Sequence, residues 1–210
     1  MEDYLKAYDL LHQAGKKLQN AAAKLCTDHH IDATLRTARL LDMLASDQRT
    51  FIFDQESDID ILMDCLIYEQ KIGQGNGMAA FLASYTCIDE TEHLLAYALP
   101  KAKLGLYRVH DTQPERGELT LKALVADAKD TTLINRYFAY TAKTGLILAT
   151  HIVQLPDFSV STGALFLFPP KQEKRVVGEW WKKQGIDRYA HVFKLSRKIG
   201  IRVEYGPTDE

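Results

Sequence analysis

Three runs decide the fold: Leu106-Tyr107-Arg108-Val109-His110, Leu119-Thr120-Leu121-Lys122-Ala123 and Leu146-Ile147-Leu148-Ala149-Thr150-His151-Ile152-Val153. In the first two, apolar and polar residues alternate, the period-two signature of a strand with one wet face. Turn-forming stretches separate the runs at Gln113–Gly117, Ala126–Asp130, Lys143–Gly145 and Leu155–Asp157. Thr131–Tyr140 reads as a further β-rich run. Phe158–Phe168 reads as a strand that returns before Pro169-Pro170 ends the sheet. Connections this short predict an antiparallel meander or small open barrel over 101–170.

Outward from this unit the period becomes helical. Tyr4, Tyr8, Leu11, Leu18, Ala22 and Leu25 recur at spacings of three, four and seven, with Gly15 a tolerated weak point. Thr27 or Asp28 is placed to cap a second helix with Ile31, Leu35, Ala38, Leu41 and Leu44 on its apolar side. A third helix is expected over 59–69, then a flexible connection at Gly73, Gly75 and Gly77. Shorter helices follow near 78–85 and 90–99, the latter opened by Asp89 with Glu92 three residues on. Downstream, 176–184 carries Trp180-Trp181. Asp187 is placed to cap a helix with Tyr189, Val192, Phe193 and Ile199 on one face. A last strand over 201–205 and a frayed 206–210 complete the reading. The expected architecture is α+β: a helical region over 1–100, the β unit over 101–170, and a basic helical tail over 171–210 packed on the same domain.

The 210 residues, 46% hydrophobic and 26% charged, suffice for a hydrophobic core in a soluble globular protein. No apolar run approaches the roughly 18 residues of a membrane span. Met1-Glu2-Asp3-Tyr4 is acidic, unlike a signal peptide. Three widely spaced cysteines, Cys26, Cys65 and Cys87, argue against a secreted disulfide framework and for the cytoplasm.

The net charge of −2 hides a polarity. Between Asp42 and Glu92 eleven acids meet only Arg49 and Lys71, whereas between Lys171 and Arg202 ten bases meet only Glu173, Glu179 and Asp187. Such asymmetry marks either an anionic partner or two regions that neutralise each other, within the fold or across a dimer.

Few residue clusters carry chemistry. Glu56-Ser57-Asp58-Ile59-Asp60-Ile61-Leu62 looks like the Asp-x-Asp strand of nucleotidyltransferases, in which paired carboxylates hold Mg²⁺ against a triphosphate. The upstream Gly-Ser pair of those enzymes is replaced by Ala45-Ser46. Moreover Ile59, Leu62, Met63, Leu66 and Ile67 follow a helical stripe, which makes Ser57 an N-cap and puts Asp58 and Asp60 in the first turn. Cys26, His29 and His30 lack a second ligand pair at matching spacing, so no metal site is assigned. His93, His110 and His151 stand isolated and read as hydrogen-bonded structural residues. Gly73-Gln74-Gly75-Asn76-Gly77 lacks the preceding strand and the Lys-Ser/Thr of a phosphate loop. The tail is the better candidate surface. Lys174, Arg175, Trp180, Trp181, Lys182, Lys183, Arg188, Arg197 and Lys198 mix cations with aromatics, as surfaces that neutralise phosphates and stack bases do. The bland alternative has one tryptophan packing the helix and the lysines merely solvated.

Over about 60–170 the pattern also resembles a broad family of uncharacterised bacterial proteins. The matching pieces are Leu62–Glu69 with its glycine loop, Met78–Tyr85, Leu94–Ala98, Leu106–Val109, Gly117 with its strand, Thr144–Thr150 and Ser161–Ala164. Some relatives carry an additional SEC-C-type zinc-binding segment. This chain has no cysteine cluster, so no zinc or nucleic-acid role attached to that segment carries over. The resemblance implies a helix at Asp58 and Asp60 but no established activity. The expected function is a non-enzymatic binding or adaptor protein without a cofactor or membrane association. Its partner is a protein, a second copy of itself, or nucleic acid met through the tail. The alternative is metal-dependent nucleotidyl or phosphoryl transfer by Asp58 and Asp60, with Asp64 a third carboxylate. Any site is expected where helices meet the sheet.

Overall fold

A computed structural model describes residues 2–201, so the strand expected over 201–205 and the frayed end fall outside it except for Ile201. The chain opens with α1 (Glu2–His29) and α2 (Ile31–Leu40), and after an irregular stretch forms α3 (Ser57–Tyr68). A two-stranded hairpin, β1 (Lys71–Ile72) and β2 (Gly75–Asn76), leads to α4 (Gly77–Leu82) and α5 (Glu90–Ala98). The expected flexible connection is thus a tight turn, with Gly73 at φ 62°. Asn76 caps α4 by accepting from the Ala79 N–H at 2.9 Å.

Neither Thr27 nor Asp28 caps α2, because both are satisfied inside α1. The Thr27 hydroxyl donates to the Lys24 carbonyl, and Asp28 accepts from Lys24 Nζ at 2.8 Å. α1 therefore continues to His29, and α2 buries the small residues Ala33, Thr34, Thr37 and Ala38 while Ile31 faces solvent. Asp89 does cap α5, accepting from the Glu92 N–H at 2.8 Å. Glu92 reaches back one residue beyond the expected capping box, to the Ile88 N–H.

The β unit follows: β3 (Lys103–Gln113), β4 (Glu118–Ala123), β5 (Thr131–Ile134), α6 (Arg136–Thr141), β6 (Ile147–Gln154), β7 (Ser159–Ser161) and β8 (Phe166–Phe168). Two expected runs divide. The second half of 131–140 is helix, since Asn135 caps it by accepting from the Phe138 N–H. The stretch 158–168 is two strands separated by a loop with Gly163 at φ 123°. Strands β3, β4 and β5 pair antiparallel in turn. β5 then pairs in parallel with β7, β7 pairs antiparallel with β6, and β6 returns to β3, closing a five-stranded barrel. β8 lies outside the ring on the first half of β6. Taken round the ring, the order is first, second, third, fifth, fourth, with a helix between third and fourth. That is the connectivity of an OB-fold barrel.

After β8 come α7 (Glu173–Trp180) and α8 (Gly185–Ile199), which begins two residues before the expected Asp187 cap. Three apolar clusters hold the assembly. Leu119, Leu121, Leu133 and Leu148 fill the barrel; Leu18, Ala22, Leu66 and Met78 join α1, α3 and α4; Leu62, Phe166, Phe168, Trp180 and Phe193 join α3, β8, α7 and α8. β6 sits between them, buried from Ile147 to Val153, which is why its sequence is almost continuously apolar and not alternating.

Candidate functional site

The tail splits into buried and exposed parts. Trp180 is fully buried in the core, whereas Trp181, the next residue, is 51% exposed. Arg188 holds the exposed ring: its guanidinium lies 5.7 Å from the Trp181 ring and 4.8 Å from that of Trp180. It is itself anchored, donating from Nη1 to Asp127 Oδ2 at 2.6 Å and from Nε to the Lys183 carbonyl at 3.0 Å. Asp127 belongs to the loop between β4 and β5, so the barrel positions the tryptophan. Around it Lys174, Arg175, Gly178, Lys182 and Lys183 are all exposed. Lys182 pairs with Glu179 at 2.6 Å, while Lys174, Arg175, Lys183 and Lys198 make no ion pair among the described residues. Gly178 sits inside α7 with open space where a side chain would be, so no packing inside the protein requires glycine there.

Other tail cations pair with the acidic segment. Arg197 donates to Asp58, which is 1% exposed, and Lys194 pairs with Asp42 at 2.8 Å. These two links join the basic tail to the acidic segment, so part of the charge polarity is neutralised within the fold.

Asp58 and Asp60 do not converge. Ser57 is the first residue of α3 rather than its cap, and the preceding Glu56 offers no side-chain cap. Asp58 turns back to accept from the N–H groups of Asp54 and Gln55 with Oδ2, while Arg197 occupies Oδ1. Asp60 is exposed and lines a cleft of about 100 Å³ with Ser196 and Arg197. Two residues, just over half a turn of helix, therefore place the carboxylates in different environments, as the periodicity of α3 predicts.

A different carboxylate cluster lies where α3 crosses β6. His151, fully buried, places Nδ1 2.7 Å from Asp64 Oδ2 and Nε2 2.8 Å from Glu69 Oε1. Thr162 donates its hydroxyl to the other Asp64 oxygen. Tyr68 and Tyr189 flank the imidazole, with ring centroids 5.2 and 5.5 Å away. Burial alone would lower the histidine pKa. The charges and hydrogen bonds of Asp64 and Glu69 outweigh it and bring the pKa up to about 9. Both ring nitrogens then carry protons, and the site is an imidazolium clamped between two carboxylates. It is a joint between helix and barrel.

His151 is hydrogen-bonded, as expected of a structural histidine, but not isolated. The signal was a histidine midway along an otherwise apolar strand, where an unpaired polar group is costly. Asp64 was obscured because α3 is buried on most of its circumference, from Ile61 to Tyr68. Cys26 faces the core while His29 is exposed, so those residues are not brought together. Among the described residues no group of three or more His, Cys, Asp or Glu is arranged to hold a metal ion. No helix of the described residues is long and apolar enough to cross a membrane.

Comparison with known proteins fits the resemblance seen over 60–170 and extends it. The model of a family of unknown function (DUF7986) matches residues 2–206, and the chain belongs to that family. No curated protein and no solved structure matches.

Proposed function

We propose that this member of a family of unknown function is a non-enzymatic binding module. Its surface is the outer side of α7 with the turn after it, and its partner is anionic, single-stranded nucleic acid foremost. One observation carries the reading: Trp181 is exposed yet fixed by Arg188, which Asp127 anchors at 2.6 Å. An aromatic platform held in place loses little conformational entropy when a base stacks on it. Lys174, Arg175 and Lys183 supply cations that no acid of the described residues neutralises. The bare backbone at Gly178 lets a partner approach the helix closely.

Barrels of this connectivity hold oligonucleotides or oligosaccharides in other proteins, an analogy of fold alone. Here Asp130 and Asp157 border the outer side of β4 and β5, which disfavours phosphates there and favours the basic helix. The transfer-enzyme alternative requires two carboxylates on one metal, and Asp58 has both oxygens engaged by protein donors. An odd number of widely spaced cysteines supports a cytoplasmic location. An acidic protein, or the acidic segment of a second copy, competes for the same surface.

Fluorescence anisotropy of a labelled single-stranded oligonucleotide tests the proposal. Three or four phosphate contacts give a slope of log K against log salt of about −2 to −3. Lys182→Ala/Lys183→Ala should make it shallower. No binding at low salt removes nucleic acid as the partner.

A further inference from the structure

Apolar side chains and acids stand together at the start of α3. Ile52, Phe53 and Ile59 are exposed. Among them Asp54, Glu56 and Asp60 are exposed too, with no ion pair among the described residues. The segment is held firmly. Asp47 accepts from the N–H groups of Arg49 and Thr50, both at 2.9 Å, and Leu44 bridges to Phe51. The Ile52 N–H donates to the Met43 carbonyl at 3.0 Å, and the N–H groups of Asp54 and Gln55 donate to Asp58. Phe53 and Ile59 thus flank one hydrogen-bonded turn, and Phe53 stacks on Phe51 with ring centroids 6.1 Å apart. Apolar side chains that a fixed backbone holds out in water mark a contact surface.

The charges around this surface select its occupant. Three carboxylates without partners repel nucleic acid and anionic lipid, and they call for cations around an apolar centre. This chain carries such a surface on α7, where Lys174, Arg175 and Lys183 accompany the exposed Trp181. Within one molecule the two surfaces do not pair. The tail reaches the acidic segment through α8, by Arg197 to Asp58 and Lys194 to Asp42, while those α7 cations make no ion pair among the described residues.

We propose that the turn at 52–60 docks α7 of a second copy of this chain, Trp181 meeting the apolar side chains and the cations meeting the acids. Exposed ion pairs contribute little each and are screened by salt, so the association is transient and salt-sensitive. Because it covers Trp181, self-association and oligonucleotide binding exclude one another. The proposal rests on the open α7 surface described above, and not on nucleic acid being its ligand.

Sedimentation velocity of the full chain from about 10 µM to about 500 µM tests it. The weight-average coefficient should rise with concentration at low salt and return to that of a monomer at about 500 mM salt. Asp54→Lys/Glu56→Lys and Lys174→Glu/Arg175→Glu should each weaken association about fivefold or more. An equimolar mixture of the two should restore it, since each supplies the charge the other has lost. Phe53→Ser leaves the charges in place and should weaken association as well, which keeps the test decisive if a charge variant misfolds. A wild-type chain that stays monomeric at every concentration overturns the proposal, as does association that neither charge variant weakens. So does an oligonucleotide that binds α7 and leaves the association intact. If no oligonucleotide binds while the mixed charge variants still associate, the nucleic-acid reading fails and this one stands.

Discussion

Arg188 reaches across 61 residues of chain to Asp127, donating at 2.6 Å, and the same guanidinium lies 5.7 Å from the Trp181 ring. The barrel thus sets the position of the tail's exposed aromatic. Asp127→Ala separates this buttress from simple electrostatics. Removing an acid raises the positive charge nearby and, by charge alone, strengthens binding to an anion. Loss of the anchor frees Arg188 and Trp181 and weakens it. We expect oligonucleotide affinity to fall about threefold to tenfold; tighter binding by anisotropy would mean that Asp127 does not position the site.

Gly178 gives a second, opposite-signed test. A glycine inside a helix with no packing requirement costs roughly 0.5–1 kcal/mol relative to alanine. Gly178→Ala should therefore raise stability by about that amount in urea denaturation, while reducing oligonucleotide affinity. Increased stability with unchanged affinity would show that close approach at this position is not used.

The buried His151 clamp predicts a particular pH dependence. Its folded pKa, about 9, lies above the ordinary 6.5, so its contribution to stability is full below pH 6.5 and is lost as pH rises through about 9. His151→Gln should cost about 3–5 kcal/mol near neutral pH, because it leaves Asp64 and Glu69 without their cation. The difference between the two proteins should narrow with alkalinity. Equal losses at pH 6.5 and at about pH 10 in denaturant titrations would contradict the clamp.

Arg197 and Asp58 carry the join between the ends of α8 and α3. Arg197→Ala leaves Asp58 buried with only its backbone donors, and a loss of about 2–4 kcal/mol is expected. Adding Asp58→Asn to that variant should recover part of it, read as a favourable coupling in a double-mutant cycle. Strict additivity would mean the two side chains do not interact in solution.

The α+β class was legible because the hydrophobic period changes near Pro100 and again near Pro170. Barrel closure was not, since it depends on a parallel pairing of β5 with β7, and no local turn encodes it. The helix at 136–141 was hidden by β-favouring residues around Tyr137 and Tyr140; Asn135, its cap, was the available sign. The basic and aromatic content of the tail was plain, but not the division of Trp180 from Trp181 by burial. The His151 cluster joins residues 82 and 87 positions apart, a distance over which sequence spacing carries no information.

Tryptophan fluorescence tests the central claim most directly, because the chain has two tryptophans and only Trp181 is exposed. Titration with an unlabelled single-stranded oligonucleotide at low salt should quench that exposed emission saturably, and added salt should reverse it. In Trp181→Phe the quenching should vanish while the fold is retained. Emission that stays constant through the titration, or quenching that persists in Trp181→Phe, would contradict a base-stacking surface on α7.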